Sequence, residues 1–155
     1  MIRITKIALL TLSALTFLTA PNVATAAEDL SSPEGFWQTI PDSKSDPGIV
    51  KITLKDGKLT AQVVKVLSDV HPNPRCIKCE GALKDAPIIG IKLVENLAPI
   101  EKDVWGNGQV LDPDSGKFYK VKISLIDGGK RIKLRGYIGA PAFGRTQYWQ
   151  RTKAP

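Results

Sequence analysis

The chain has 155 residues, a formal net charge of +7, two cysteines and one histidine. This length is typical of one domain with its own hydrophobic core. The lysines alternate along predicted strands rather than clustering in the sequence, so we expect no concentrated basic patch and no nucleic-acid binding. At most, the charge indicates a mild attraction to anionic surfaces of a cell envelope.

The N-terminal segment has the pattern of a secretory signal peptide. Arg3 and Lys6 precede an apolar run at residues 7–18, and Ala24-Thr25-Ala26 fits an A-x-A cleavage site. We predict a signal peptide at residues 1–26 and a single mature domain at residues 27–155, located in the periplasm or secreted. The apolar run is shorter than the ~20 residues of a membrane span. Since no second apolar run follows, we expect no membrane span after the signal is removed.

The first mature elements are predicted to be three strands, at residues 35–40, 49–55 and 58–67. A polar, turn-rich loop at residues 41–48 separates the first two, and Asp56-Gly57 is a strong hairpin signal between the second and third. In the third strand the apolar phase slips between Val63 and Val64. This slip predicts a β-bulge.

The middle of the chain has a weaker pattern. Residues 68–86 are irregular, with room for a single helical turn, and they include the only histidine and both cysteines. We predict a fourth strand at residues 87–95 and a loop at residues 96–107.

The C-terminal part is the clearest, because apolar and polar residues alternate with a period of two. It predicts four strands at residues 109–111, 117–126, 131–138 and 145–151. Turns at residues 112–116 and Asp127-Gly128-Gly129 and a loop at residues 139–144 connect them. Gly136 interrupts the apolar face, which suggests a bulge or a corner.

Eight short strands joined mostly by tight turns predict an all-β fold, an eight-stranded antiparallel up-and-down barrel. A two-sheet β-sandwich is the alternative. The inward face of the last strand stays open. Arg145, Gln147, Trp149 and Arg151 share one side of it, and Thr146, Tyr148 and Gln150 share the other.

Two groups of residues are candidates for a site. Trp37 and Arg151 come from the first and last strands, which are neighbours in a closed barrel, and a guanidinium over an indole would help barrel closure. An inward-facing polar set could orient an anionic or amphipathic ligand. The predicted ligand-binding residues are Trp37, Tyr119, Arg135, Tyr137, Arg145 and Gln147. The competing interpretation is that this face is the solvated exterior.

Cys76 and Cys79 are predicted to form a structural disulfide that pins a turn. A redox pair is the alternative, although no helix N-terminus is predicted to lower a thiol pKa there. His71 with both cysteines gives too few clean ligands for structural zinc. The turn at Asp112 and Asp114 lacks the terminal Glu of a calcium loop. We therefore predict no metal, no cofactor and no catalytic residues.

Several short motifs together resemble one bacterial family. They are Gly35-Phe36-Trp37, Cys76-x-x-Cys79, Leu111-Asp112-Pro113 with Gly116-Lys117 and Tyr119, Arg135-Gly136-Tyr137-Ile138-Gly139, and Gly144-Arg145-Thr146-Gln147 with Trp149 and Arg151. The set resembles the bacterial secreted domain-of-unknown-function family 2147, whose members look lipocalin-like. The resemblance implies a small lipocalin-like barrel exported to the periplasm, and it implies no activity.

The leading functional prediction is a non-enzymatic periplasmic binding protein for a small apolar or amphipathic molecule. One alternative is an envelope interaction or assembly factor that binds another envelope protein through its loops. The other is a thiol-redox protein using Cys76 and Cys79. A cavity of several hundred Å³ would favour a ligand, and an interior filled by side chains would favour the interaction factor.

Overall fold

The computed structural model describes residues 29–40 and 46–155. The predicted signal peptide and part of the loop at residues 41–48 lie outside these ranges. Eight strands form one closed antiparallel barrel, in which each strand pairs with its neighbours in sequence and β1 pairs with β8. The strands are β1 (Gly35–Thr39), β2 (Gly48–Lys55), β3 (Lys58–Val66), β4 (Lys92–Glu101), β5 (Val104–Asp112), β6 (Lys117–Ile126), β7 (Arg131–Tyr137) and β8 (Gly144–Thr152).

The predicted barrel is confirmed, and closure excludes the sandwich. The predicted irregularity in β3 is also present: Ile49 pairs with Lys65 and Val50 pairs with Val63, so Val64 is the extra residue of a bulge. A single 3₁₀ turn, Gly81–Leu83, lies in the irregular segment as expected. No helix in the described ranges is long and apolar enough to cross a bilayer.

The predicted boundaries of the fourth and fifth strands were wrong. Residues predicted as a loop, 96–107, form most of the β4–β5 hairpin, which turns at residues 102–103. Gly106 and Gly108 are sites of close packing inside β5. A Cβ there would lie 2.8 Å from Ile100 Cδ1 and 2.7 Å from Leu97 Cδ1, respectively. These glycines accommodate neighbouring side chains.

Gly136 is not a bulge, because the register of β7 is continuous with both neighbours. It pairs with Val121 on one side and Arg145 on the other. A Cβ on Gly136 would lie 3.7 Å from Val110 Cγ1 and 3.8 Å from Tyr119 Cβ, an ordinary contact distance. The missing side chain therefore leaves space inside the barrel.

The two ends of the barrel differ. Tight turns close one end, where Trp37, Leu59, Leu97, Ile132 and Trp149 are almost completely buried. The opposite end carries the connections that follow β1, β3, β5 and β7, and the β3–β4 connection at residues 67–91 is the longest of those that the structure describes in full. The interior is thus packed at the closed end and bordered by loops at the open end.

Candidate functional site

A cavity of about 680 Å³ opens between the loops at the open end. Its volume lies within the range of roughly 300–1,000 Å³ that is usual for ligand pockets. Apolar side chains from the barrel strands line its wall: Val50, Val63, Leu93, Val110 and Leu134.

The inner face of β8 supplies polar groups to this cavity. Arg145 and Gln147 line the wall, and Trp149, two residues further on, is buried in the packed core below. Tyr148 lies on the opposite, outer face and stacks with Arg131, whose guanidinium carbon is 4.6 Å from the ring centre. The face of β8 that carries Arg145, Gln147 and Trp149 therefore points inward. The sequence alone did not show which face of this strand is the inner one.

Gln147 has an amide well placed for a ligand. It is half-buried and lines the cavity, and within the described ranges its side chain makes no hydrogen bond to protein. An amide has both donors and an acceptor, so a partner in the cavity can use either. Tyr119 also lines the wall, and its hydroxyl lies 3.4 Å from Ser115 Oγ.

Four of the six predicted ligand-binding residues border the cavity: Tyr119, Tyr137, Arg145 and Gln147. The other two lie elsewhere. Trp37 is fully buried in the packed core. Arg135 donates to the carbonyl oxygens of Pro141 and Ala142, at 3.0 and 3.1 Å, and to Thr146 Oγ1 at 2.9 Å, so it braces the β7–β8 loop.

Trp37 and Arg151 meet at the closed end. They are register partners in β1 and β8, and the guanidinium carbon lies 4.3 Å from the indole ring centre. Arg151 also donates to the carbonyl oxygens of Gly129, Glu34 and Ser32 at 2.7, 2.9 and 2.7 Å. The Trp37 indole N–H donates to the Pro33 carbonyl at 2.8 Å. One guanidinium thereby joins the N-terminal segment, the β6–β7 turn and β8.

Cys76 and Cys79 form a disulfide, and both are buried. They pack with Ile91 and Leu111 in a small second core beside the open end. Gly116 makes this packing possible, since a Cβ on it would lie 1.9 Å from the Lys78 carbonyl oxygen. The disulfide therefore fixes a segment that also contributes Pro74, Arg75 and Ile88 to the cavity wall.

Among the residues that the structure describes, three carboxylates border the mouth, those of Asp46, Asp112 and Asp114. Partial burial raises the pKa of Asp114 above its ordinary value, and the neighbouring charges of Asp112 and Asp46 raise it further. Asp112 is held in the turn by the Ser115 hydroxyl at 2.8 Å, and Asp46 lies 3.3 Å from His71. The sequence analysis assigned these residues to turns and did not predict their place at the mouth. The alternation of apolar and polar residues defines strands, but it does not show which loops lie close together.

A closed eight-stranded barrel with one packed end and one open cavity has the architecture of a lipocalin-like protein. A solved structure, "Protein HP1028 from the human pathogen Helicobacter pylori belongs to the lipocalin family", is similar, with a TM-score of 0.70 and 18% identity. The match covers 79% of this chain and 84% of that one. At this identity the likeness extends to the fold alone.

The family model described as "Uncharacterized protein conserved in bacteria (DUF2147)" matches residues 35–151. The chain belongs to this family. The matched region begins in β1 and ends in β8, so it spans the whole barrel. A search of curated proteins gives no match.

Proposed function

We propose that this protein is a non-enzymatic binding protein that holds a small apolar or amphipathic molecule in the open-ended cavity. The single observation that carries the proposal is the cavity of about 680 Å³ with an apolar wall and the Gln147 amide facing into it. A scaffold acting only through its loops has no need of an interior space, and an apolar wall left in contact with water forgoes the stability that its burial would give. The cavity therefore favours ligand binding over the pure interaction factor.

The wall supports a ligand with an apolar body and one polar group. Val50, Val63 and Val110 offer a surface to the apolar body, while Gln147 and Tyr119 offer hydrogen bonds that fix its orientation. Apolar contact contributes ~25 cal/mol for each Å² removed from water. A ligand that leaves the Gln147 amide unpaired would lose part of this gain, which gives the site its selectivity.

The proposed location is the periplasm or the exterior of the cell. The predicted signal peptide supports it, and so does the disulfide, since disulfides persist in oxidising compartments. Redox catalysis has less support. Cys76 and Cys79 are 0% and 4% exposed, whereas a reactive thiol needs access to its substrate.

The test is a fluorescence titration with N-phenyl-1-naphthylamine, a small apolar probe whose emission rises in apolar surroundings. We expect saturable binding with one site per chain. Gln147→Leu serves as the site variant, and we expect it to change the preference between this probe and the anionic probe 1-anilinonaphthalene-8-sulfonate. Gln150→Leu, on the outer face of the same strand, is the matched control. If neither probe binds the wild-type protein, the proposal is wrong.

A further inference from the structure

The outer face of β6 and β7 carries a group of cations that we call the basic wall: Lys120, Lys122, Lys133 and Arg135. Lys122 stands directly opposite Arg135 in the β6–β7 pairing. Like charges in opposite positions destabilise a sheet. Lysines often protect an exposed sheet edge, but this barrel is closed and β6 and β7 are paired on both sides. Edge protection therefore does not explain the basic wall.

Carboxylates neutralise little of this charge. Lys122 Nζ lies 3.4 Å from Glu101 Oε1. Within residues 29–40 and 46–155, Lys120, Lys133 and Arg135 take part in no salt bridge. The wall thus presents positive charge to the solvent.

Exposed apolar side chains adjoin the basic wall at the open end. We call Phe118, Ile138 and Phe143 the apolar corner; they are 53%, 69% and 80% exposed. Phe118 lies on the outer face of β6, two residues before Lys120. Ile138 follows Tyr137, which is the register partner of Lys120. Apolar and cationic groups therefore meet in one region of the surface.

Arg135 connects the two parts. Its guanidinium holds the carbonyl oxygens of Pro141 and Ala142, so the loop carrying Ile138 and Phe143 is fixed relative to the wall. A loop held in place loses less conformational entropy when it binds a partner. The apolar corner is thus preorganised, because it can bind without first ordering its loop.

We propose that the apolar corner and the basic wall bind the surface of a bilayer that contains anionic phospholipid. Aromatic and aliphatic side chains insert at the boundary between headgroups and acyl chains, while lysine and arginine side chains stay with the lipid phosphates. The outward-facing cations of β6 and β7 make the basic wall the surface that fits an anionic membrane. Ile138 and Phe143 also border the cavity, so the apolar corner lies next to the candidate ligand site.

The experiment is co-sedimentation of the purified protein, without added ligand, with vesicles of phosphatidylethanolamine and phosphatidylglycerol. Vesicles of phosphatidylcholine are the comparison. We expect binding to the anionic vesicles that weakens as salt rises, and little binding to the neutral ones. Lys120→Gln with Lys133→Gln should weaken binding about 25-fold at low salt, at roughly fivefold for each cation. Phe118→Ser should also weaken it.

The matched controls come from other parts of the surface. Lys51→Gln with Lys55→Gln removes the same charge from β2, across the barrel from β6, and Val70→Ser removes an apolar side chain that is 80% exposed. We expect both control variants to bind vesicles nearly as well as the wild type. Circular dichroism melting curves check that every variant folds. Lys120, Lys133 and Phe118 are not part of the cavity wall, so failure of this proposal leaves the ligand-binding proposal standing.

Three results would overturn the proposal. The first is no binding to anionic vesicles, and the second is equal binding to neutral ones. The third is an equal loss of vesicle binding in the Lys51→Gln, Lys55→Gln variant. That result would show that binding depends on the total charge of the protein and not on the basic wall. Light scattering after size exclusion adds a further check: a dimer that Phe118→Ser dissociates would assign the apolar corner to a second copy of the chain and overturn the lipid assignment.

Discussion

Gly136→Leu distinguishes an open interior from a packed one. The Cβ position of Gly136 has only ordinary contacts, at 3.7 Å from Val110 and 3.8 Å from Tyr119, and all three residues line the cavity. A leucine side chain therefore has space to extend. Because the φ of Gly136 is not positive, a side chain also causes no backbone strain there.

The expected change in the free energy of unfolding for Gly136→Leu has two parts. Replacing glycine by alanine within a strand stabilises by about 0.5–1 kcal/mol, since the unfolded chain loses freedom. The three further carbons of leucine gain up to ~0.8 kcal/mol each when fully buried, and we take about half of that for a cavity open to water. In a filled interior the same leucine would cost about 1–3 kcal/mol.

The assay is thermal unfolding of the wild type, Gly136→Ala and Gly136→Leu. A change of 1 kcal/mol in the free energy of unfolding shifts the melting temperature by about 4 °C. We therefore expect the melting temperature of the leucine variant to equal that of the alanine variant or to exceed it by several degrees. Leucine should also weaken binding of N-phenyl-1-naphthylamine more than alanine does, because it occupies part of the site. A leucine variant that melts 4 °C or more below the alanine variant would refute the reasoning.

Three further predictions concern the residues around the cavity and the closed end. Trp37→Ala should cost about 3–5 kcal/mol and lower the melting temperature by more than 10 °C, because it removes a buried indole from beneath Arg151; an unchanged melting curve would contradict closure through this pair. Because the pKa of Asp114 is raised, its ionisation costs stability as pH rises above the ordinary value of 3.8. Asp114→Asn should therefore melt higher than the wild type at pH 7 and equally at pH 3; the same difference at both pH values would contradict this. Replacing Cys76 and Cys79 by alanine should destabilise by about 2 kcal/mol and speed proteolysis within residues 67–91, while unchanged cleavage would show that the disulfide does not fix this segment.

The sequence predicted the barrel most securely where apolar and polar residues alternate without interruption. In β6, Val121 and Ile123 face inward and Lys120 and Lys122 face outward, so the period of two is visible. The β4–β5 hairpin was missed because Pro99 pairs with Trp105 inside a strand, in a stretch that resembles a loop. Tertiary packing overrode the local preference there.

The site was harder to predict than the fold. The inward face of β8 could not be identified, because Arg145 and Gln147 border a cavity open to water and therefore look like exterior residues in the sequence. Arg135 and Tyr137 share a strand face in the alternation, yet only Tyr137 borders the cavity. Tyr137 is the last residue of β7 and lies at the open end beside the cavity, whereas Arg135 lies two residues earlier in the strand. The alternation of apolar and polar residues does not show where a strand ends, so the sequence could not separate these two residues.

The most direct test of ligand binding is native mass spectrometry of the protein purified from its own host. We predict a complex whose mass exceeds that of the chain by one small molecule, and we expect denaturation to release it. The Gly136→Leu variant prepared in the same way should carry less of it. A bare chain in the wild type, with no species lost on denaturation and no binding of either fluorescent probe, would contradict the account.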